Sequence, residues 1–129
     1  MNRRIRIRGG GVVVSAVLNE TATAEAIWAA LPLRARARLW GEEVYFAVPV
    51  ALELEDGQEL VSLGDLGYWP EGNAFCIFFG RTPASHGDEI RPASAVNVFG
   101  RVAGDTSPLR RVALGDEVVV ERESDDQET

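Results

Sequence analysis

The sequence predicts an all-β fold: a closed or nearly closed barrel of eight short strands, with one α-helix and short helical turns. Three observations carry that expectation. Apolar and polar residues alternate with a period of two in several short runs, turn residues separate the runs at regular spacing, and only one stretch has helical periodicity. A period of two sends successive side chains to opposite faces of a strand, and a set of short strands hides its edges best by closing.

The first strand alternates Arg4, Ile5, Arg6, Ile7 and Arg8, with the isoleucines on one face and the arginines on the other. Gly9-Gly10-Gly11 turns it into a second strand, Val12 to Leu18. Thr21 is the expected N-cap of the helix, in which Ala24, Ile27, Trp28 and Leu31 form one apolar stripe ended by Pro32. Arg34 to Leu39 alternates again, Trp40-Gly41 interrupts it, and Glu42 to Val48 follows as a strand. Ala51 to Glu55 and Gln58 to Leu63 flank Asp56-Gly57, a strong hairpin signal.

Gly64 to Gly72 reads as irregular, an aromatic-rimmed turn around Tyr68-Trp69-Pro70. Asn73 to Phe79 reads as a central strand, and its lack of alternation is what burial of both faces requires. Arg81 to Ser94 carries several polar or chain-breaking clusters and reads as a long loop. Ala95 to Val102 is a strand, Ser107 to Arg111 a helical turn and Glu117 to Glu123 the last strand. Residues 1–123 form one domain, and the acidic residues 124–129 are expected to be a disordered tail.

Composition removes several classes of chemistry. A net charge of −7 and an isoelectric point near 4.7 argue against a nucleic-acid or anionic-membrane partner. No apolar run approaches the roughly 20 residues that span a bilayer, and the N-terminus alternates where a signal peptide would be continuously apolar. A cytoplasmic location is therefore expected, and the single cysteine, Cys76, fits a reducing compartment. All 13 basic residues are arginine, which leaves no lysine for a Schiff base or a phosphate-binding loop. One histidine and one cysteine cannot build a Cys/His zinc site, and neither metal nor cofactor is expected.

Charge follows the strand pattern. Arg4, Arg6 and Arg8, and Arg34, Arg36 and Arg38, form basic strips. Glu53 with Glu55, and Glu121 with Glu123, form acidic ones. Basic strips are expected beside acidic strips on neighbouring strands.

Four segments carry a family resemblance. Trp40-Gly-Glu-Glu-Val-Tyr-Phe46, Gly64-Asp-Leu-Gly-Tyr-Trp-Pro70, Gly72-Asn-Ala-Phe-Cys-Ile-Phe-Phe-Gly-Arg-Thr-Pro83 and Arg91-Pro-Ala-Ser-Ala-Val-Asn-Val-Phe-Gly100 occur in order along nearly the whole chain. Together they resemble a family of small bacterial and archaeal cyclophilin-like proteins of unknown function. The resemblance implies a closed eight-stranded barrel smaller than a true cyclophilin. It implies no catalytic residue, because the Phe-Met-x-Gln-Gly-Gly segment of prolyl isomerases, and their later tryptophan and histidine, have no counterpart here.

Several residues carry candidate chemistry. Glu42 and Glu43 point to opposite faces of one strand, so one of them must approach an apolar surface, and it becomes a site candidate if its pKa is perturbed. Asp65 is a third carboxylate near the aromatic segments. Cys76 reads as a small buried apolar residue. Ser85, His86 and Asp88 are the residue types of a hydrolytic triad, but crowded into one loop they lack the rigid, separate supports a triad needs. Asn97 either satisfies a bulge or faces a cavity.

The function expected from this layout is a binding module. Phe46, Tyr68, Trp69, Asn73, Phe79 and Thr82, with the loop Arg81 to Ser94, would line a groove for a proline-containing peptide or a small apolar molecule. The alternative is a prolyl isomerase with a rearranged site, in which Arg81 or Arg91 polarises the imide nitrogen and Phe46 or Phe79 receives the proline ring. Peptide or small-molecule partners are expected, with the chain a monomer or a homodimer.

Overall fold

The computed structural model describes residues 3–123, so the tail expected at 124–129 lies outside the described residues. The strands are β1 (Arg3–Gly9), β2 (Val12–Leu18), β3 (Leu33–Arg36), β4 (Arg38–Leu39), β5 (Glu43–Ala47), β6 (Asp65–Trp69), β7 (Ala74–Phe78), β8 (Asn97–Ala103) and β9 (Glu117–Arg122). One helix, α1 (Ala22–Ala30), and two 3₁₀ turns, Pro70–Gly72 and Ser107–Arg111, are the other regular elements among the described residues. The strands form one antiparallel sheet in the order β3-β9-β1-β2-β8-β6-β7-β5-β4.

Both borders of that sheet come from one stretch, residues 33–39. Its first half pairs with β9 and its second with β5, so the sheet nearly closes into a barrel. Ala37 interrupts the stretch: its N–H donates to the Asp116 carbonyl and its carbonyl accepts from Gly115, both at 2.8 Å. Counted as one bent strand, 33–39 is the eighth stave of the expected barrel.

The interior is aromatic at its centre. Phe46 stacks on Phe75 with ring centroids 4.9 Å apart, and Phe75 meets Phe99 edge-on at 5.0 Å. Helix α1 adds Ala24 and Ile27 to this core. It begins as expected, with the Thr21 hydroxyl accepting the Ala24 N–H at 3.0 Å, and ends before Pro32. No helix among the described residues is long and apolar enough to cross a membrane.

Two segments depart from the sequence expectation. Residues 51–63 do not form a hairpin; they run as a strap whose two isolated bridges, Gln58 with Val96 and Val61 with Ile90, reach the long loop instead. Side chains take the strap's backbone groups. The Tyr68 hydroxyl donates to the Val50 carbonyl and accepts from Leu52, while Asn97 donates to the Glu53 carbonyl and accepts from Glu55. With those partners in place, the strap needs no second strand to satisfy its backbone.

The second departure is Gly64 to Gly72, expected irregular, where Asp65–Trp69 forms β6 between β7 and β8. Gly67 is there for close approach rather than for a turn. A Cβ on it would lie 2.8 Å from Val96 and 3.2 Å from the Phe78 ring. The turn itself is Pro70–Gly72, closed by Asn73 in a left-handed conformation at φ 46°.

The strip Arg4, Arg6 and Arg8 meets Glu121 and Glu123 as expected on one side of the barrel, whereas in the second strip Arg36 donates to the Gly115 carbonyl at 3.2 Å. Arg8 and Arg6 lie 3.0 and 3.7 Å from Glu121, Arg4 lies 3.5 Å from Glu123, and Arg34 lies 3.0 Å from Glu117. Glu53 and Glu55 form no such strip. Glu55 instead accepts the Ala22 and Thr23 N–H groups at 3.0 and 2.9 Å, a second cap on α1. Hydrogen bonding to the Thr23 hydroxyl and these amides holds its carboxyl below the usual range.

Candidate functional site

Strand β7 is buried along its whole length because both of its faces are covered. Phe75 and Ile77 face the barrel interior, whereas Ala74, Cys76 and Phe78 belong to a second apolar cluster with Tyr45, Trp69, Ile90 and Val96. Antiparallel register sets Glu43 opposite Phe78 and Tyr45 opposite Cys76, so the outer face of β5 joins that of β7.

The long loop covers this outer face. The Thr82 hydroxyl donates to the Arg91 carbonyl, Val61 donates to the Ile90 carbonyl at 3.0 Å, and the Trp69 indole donates to the Ser94 hydroxyl at 2.6 Å. Farther out, Glu89 accepts the His86 and Gly87 N–H groups, each at 2.7 Å, and these bonds bring its carboxyl down to about 2. Between loop and sheet remains a cavity of about 160 Å³. Its walls are Trp40, Tyr45, Trp69 and Phe78, with Pro92, Ala93 and Val96 from the loop and one acidic side chain, Glu43.

Glu43 is the carboxylate that the strand pattern required to approach an apolar surface. It is 5% exposed, and loss of hydration pushes its pKa up to about 7, partly offset by a hydrogen bond from the Cys76 thiol. Burial first, then the adjacent carboxylate, push that thiol well above its ordinary value. Both effects favour the thiol form of Cys76 over the thiolate. Glu42, on the opposite face, pairs with Arg110 and accepts the Arg81 amide.

The remaining sequence candidates divide by which way they point. Phe46 and Tyr68 are interior: Phe46 is stacked on Phe75, and Tyr68, 0% exposed, spends its hydroxyl on the strap and on Asn73 at 3.1 Å. The groove expected from them is not formed, because the turn begins after Tyr68 and strand alternation turns that ring inward. Phe79 is likewise buried in the barrel core, with the Arg110 guanidinium 5.7 Å from its ring.

Trp69 alone of the expected aromatic residues lines the cavity. Thr82 is buried and anchors the loop; Asn73 is exposed at the turn. Arg81 is exposed, and Arg91 lies 3.3 Å from Glu89, so neither guanidinium lines the cavity. His86 is exposed. Asn97 serves the strap and the Thr23 hydroxyl. Asp65 accepts from Ser62 and from Arg101. Among the described residues no cluster of His, Cys, Asp or Glu could hold a metal ion.

Comparison with known proteins agrees with the barrel. The family model described as cyclophilin-like matches residues 3–121. The chain belongs to the cyclophilin-like family. The solution structure of the hypothetical protein AF2241 from Archaeoglobus fulgidus is similar to this cyclophilin-like chain at 45% identity, covering 95% of each chain with a TM-score of 0.82. No curated protein matches the sequence. The cyclophilin-like barrel thus presents a cavity on its outer wall, where the expected Trp69 is joined by residues one step from the other expected rings: Tyr45 rather than Phe46 and Phe78 rather than Phe79. Such one-residue displacements are what a strand's period of two produces.

Proposed function

We propose that this cyclophilin-like protein is a binding module that takes one ring of a small, mainly apolar ligand in the cavity over β5 and β7. The observation that carries the reading is the cavity itself, about 160 Å³, walled by four aromatic side chains and carrying one buried carboxyl. A dry apolar cavity of roughly 150 Å³ is large enough for a benzene ring. Apolar walls with few polar groups are the usual build of a small-molecule site. A proline ring within a peptide is one ring of this size, so a proline-containing peptide belongs to the ligands to be tried. The outward positions of Arg81 and Arg91 favour binding over isomerisation, since neither guanidinium is placed to polarise an imide held in the cavity.

The test is NMR on labelled protein titrated with aromatic ring compounds and Xaa-Pro peptides, following indole resonances and peptide cis/trans exchange together. Saturable shifts at the Trp40 and Trp69 indoles, weakened in Trp69→Ala, with exchange no faster than in buffer, are expected. Accelerated exchange that disappears in Arg81→Ala or Arg91→Ala would replace this reading by a prolyl isomerase. Indoles unmoved by every compound would end it.

A further inference from the structure

Among the described residues, the carboxyl group in the cavity forms no ion pair. No guanidinium is among the described residues of the cavity wall, and Arg91 and Arg110 are paired with other carboxylates, Arg91 with Glu89 at 3.3 Å and Arg110 with Glu42. The groups facing Glu43 from its surroundings are the Tyr45 phenol on its own strand and the Cys76 thiol on β7; Trp40, Trp69 and the loop residues Pro92, Ala93 and Val96 bring no charge. A thiol is a weak donor, so the ionised carboxylate is poorly compensated. Aromatic rings are the other half of the arrangement, because their faces attract cations, most strongly when water is excluded.

We propose that the cavity selects small organic ammonium ions, placing the charged nitrogen at Glu43 and the apolar body against Trp40 and Trp69. This rests on the cavity being the ligand site. An organic anion would meet the carboxylate unfavourably. A neutral ring would fill the cavity and leave Glu43 uncompensated. An ammonium ion supplies the missing positive charge and offers its carbon skeleton to the aromatic walls. A consequence is proton linkage. Burial pushes the Glu43 carboxyl up to about 7, and a bound cation favours its ionised form. Ammonium binding therefore releases protons near neutrality and strengthens as pH rises from 5.5 to 8.

The experiment uses the whole chain and three probes of similar shape: benzylamine, benzyl alcohol and benzoate, followed by tryptophan fluorescence and by the NMR shifts of the two indoles. Benzylamine is protonated throughout the range. At pH 8 it should bind about tenfold tighter than benzyl alcohol, a preference of the size that a desolvated cation–aromatic contact and a carboxylate supply. At pH 5.5 the preference should shrink, and in Glu43→Gln it should vanish at both pH values while benzyl alcohol still binds. If benzyl alcohol equals benzylamine at pH 8 in the wild-type protein, the ammonium reading falls and the cavity reading stands. If benzoate binds best, the cavity selects an acid and the ammonium reading falls as well. If none of the three binds, the ammonium reading falls, and the cavity reading is decided by the wider titration with ring compounds and Xaa-Pro peptides. The wild-type pH series decides the matter even if Glu43→Gln does not fold.

Discussion

The two faces of β7 share one backbone and differ in how they are filled. Inward, Phe75 and Ile77 meet rings and branched side chains, with Phe46 stacked on one side of Phe75 and Phe99 edge-on at another. Outward, Cys76 and Phe78 meet a half-buried tyrosine, a loop and a space of about 160 Å³ containing an acid. Close packing gains dispersion and removes apolar area from water, while a cavity forfeits contacts along its lining. The inner face thus does what holds a fold together. The outer face gives up packing and burdens a carboxylate with desolvation, and that expenditure makes sense for a surface kept ready for a ligand.

The largest expected effect separates the faces directly. Phe75→Ala should cost about 3–5 kcal/mol in urea unfolding, because the surrounding barrel cannot collapse into the hole. Phe78→Ala should cost at least about 1 kcal/mol less, since it widens a space that already exists. Equal losses would mean that both faces serve as core.

Next comes Glu43→Gln. A carboxyl whose pKa rises from 4.5 when unfolded to about 7 when folded carries no folding penalty below pH 4.5. The penalty grows between those values and is complete above 7, where the gap corresponds to roughly 3 kcal/mol. Glu43→Gln should therefore stabilise the protein by up to about 3 kcal/mol at pH 8 and by little at pH 4, as read from denaturant midpoints at the two pH values. A variant less stable than wild type at pH 8 would show the ionised carboxylate to be well supported and the outer face to be ordinary core.

The smallest effect tests a polar exception inside the barrel. Tyr68→Phe keeps the ring and removes the hydroxyl shared by Val50, Leu52 and Asn73. It should cost about 1–3 kcal/mol, with faster amide exchange confined to the strap at residues 50–55.

Much of the barrel is legible in the residues because period two is a strong signal. The Arg4 to Arg8 alternation, the Thr21 cap and the unalternating Ala74 to Phe79 run all correspond to observed elements. Glycines misdirect at 64–72, since a glycine demanded by a tight turn and one demanded by the near approach of Val96 look alike in sequence. The apparent hairpin at 51–63 fails for a related reason: Asp56-Gly57 does bend the chain, Asp56 at φ 53°, but side chains distant in sequence take the backbone groups that strand pairing would have used.

At the site, the sequence narrows the acid to Glu42 or Glu43 and locates Trp69 and the loop. Choosing between neighbours such as Phe46 and Tyr45 requires the register of β5 against β7, which is set by contacts rather than by local pattern. A signal was nonetheless present. A strand apolar on both faces must have something lying over its outer side, and Tyr45 and Glu43 share that side with Cys76 and Phe78.

The seam at residues 33–39 has a consequence for how the molecule behaves in a crowd of its own copies. An open sheet exposes two rows of unpaired amides and carbonyls that can recruit further strands and seed fibres. Here the first and last strands of the order are consecutive pieces of one segment, already paired to β9 and β5, and the break between them is a single alanine whose backbone is claimed by residues 115 and 116. What remains open to a second chain is one side of a four-residue and of a two-residue strand, far less template than the two full rows of an open sheet.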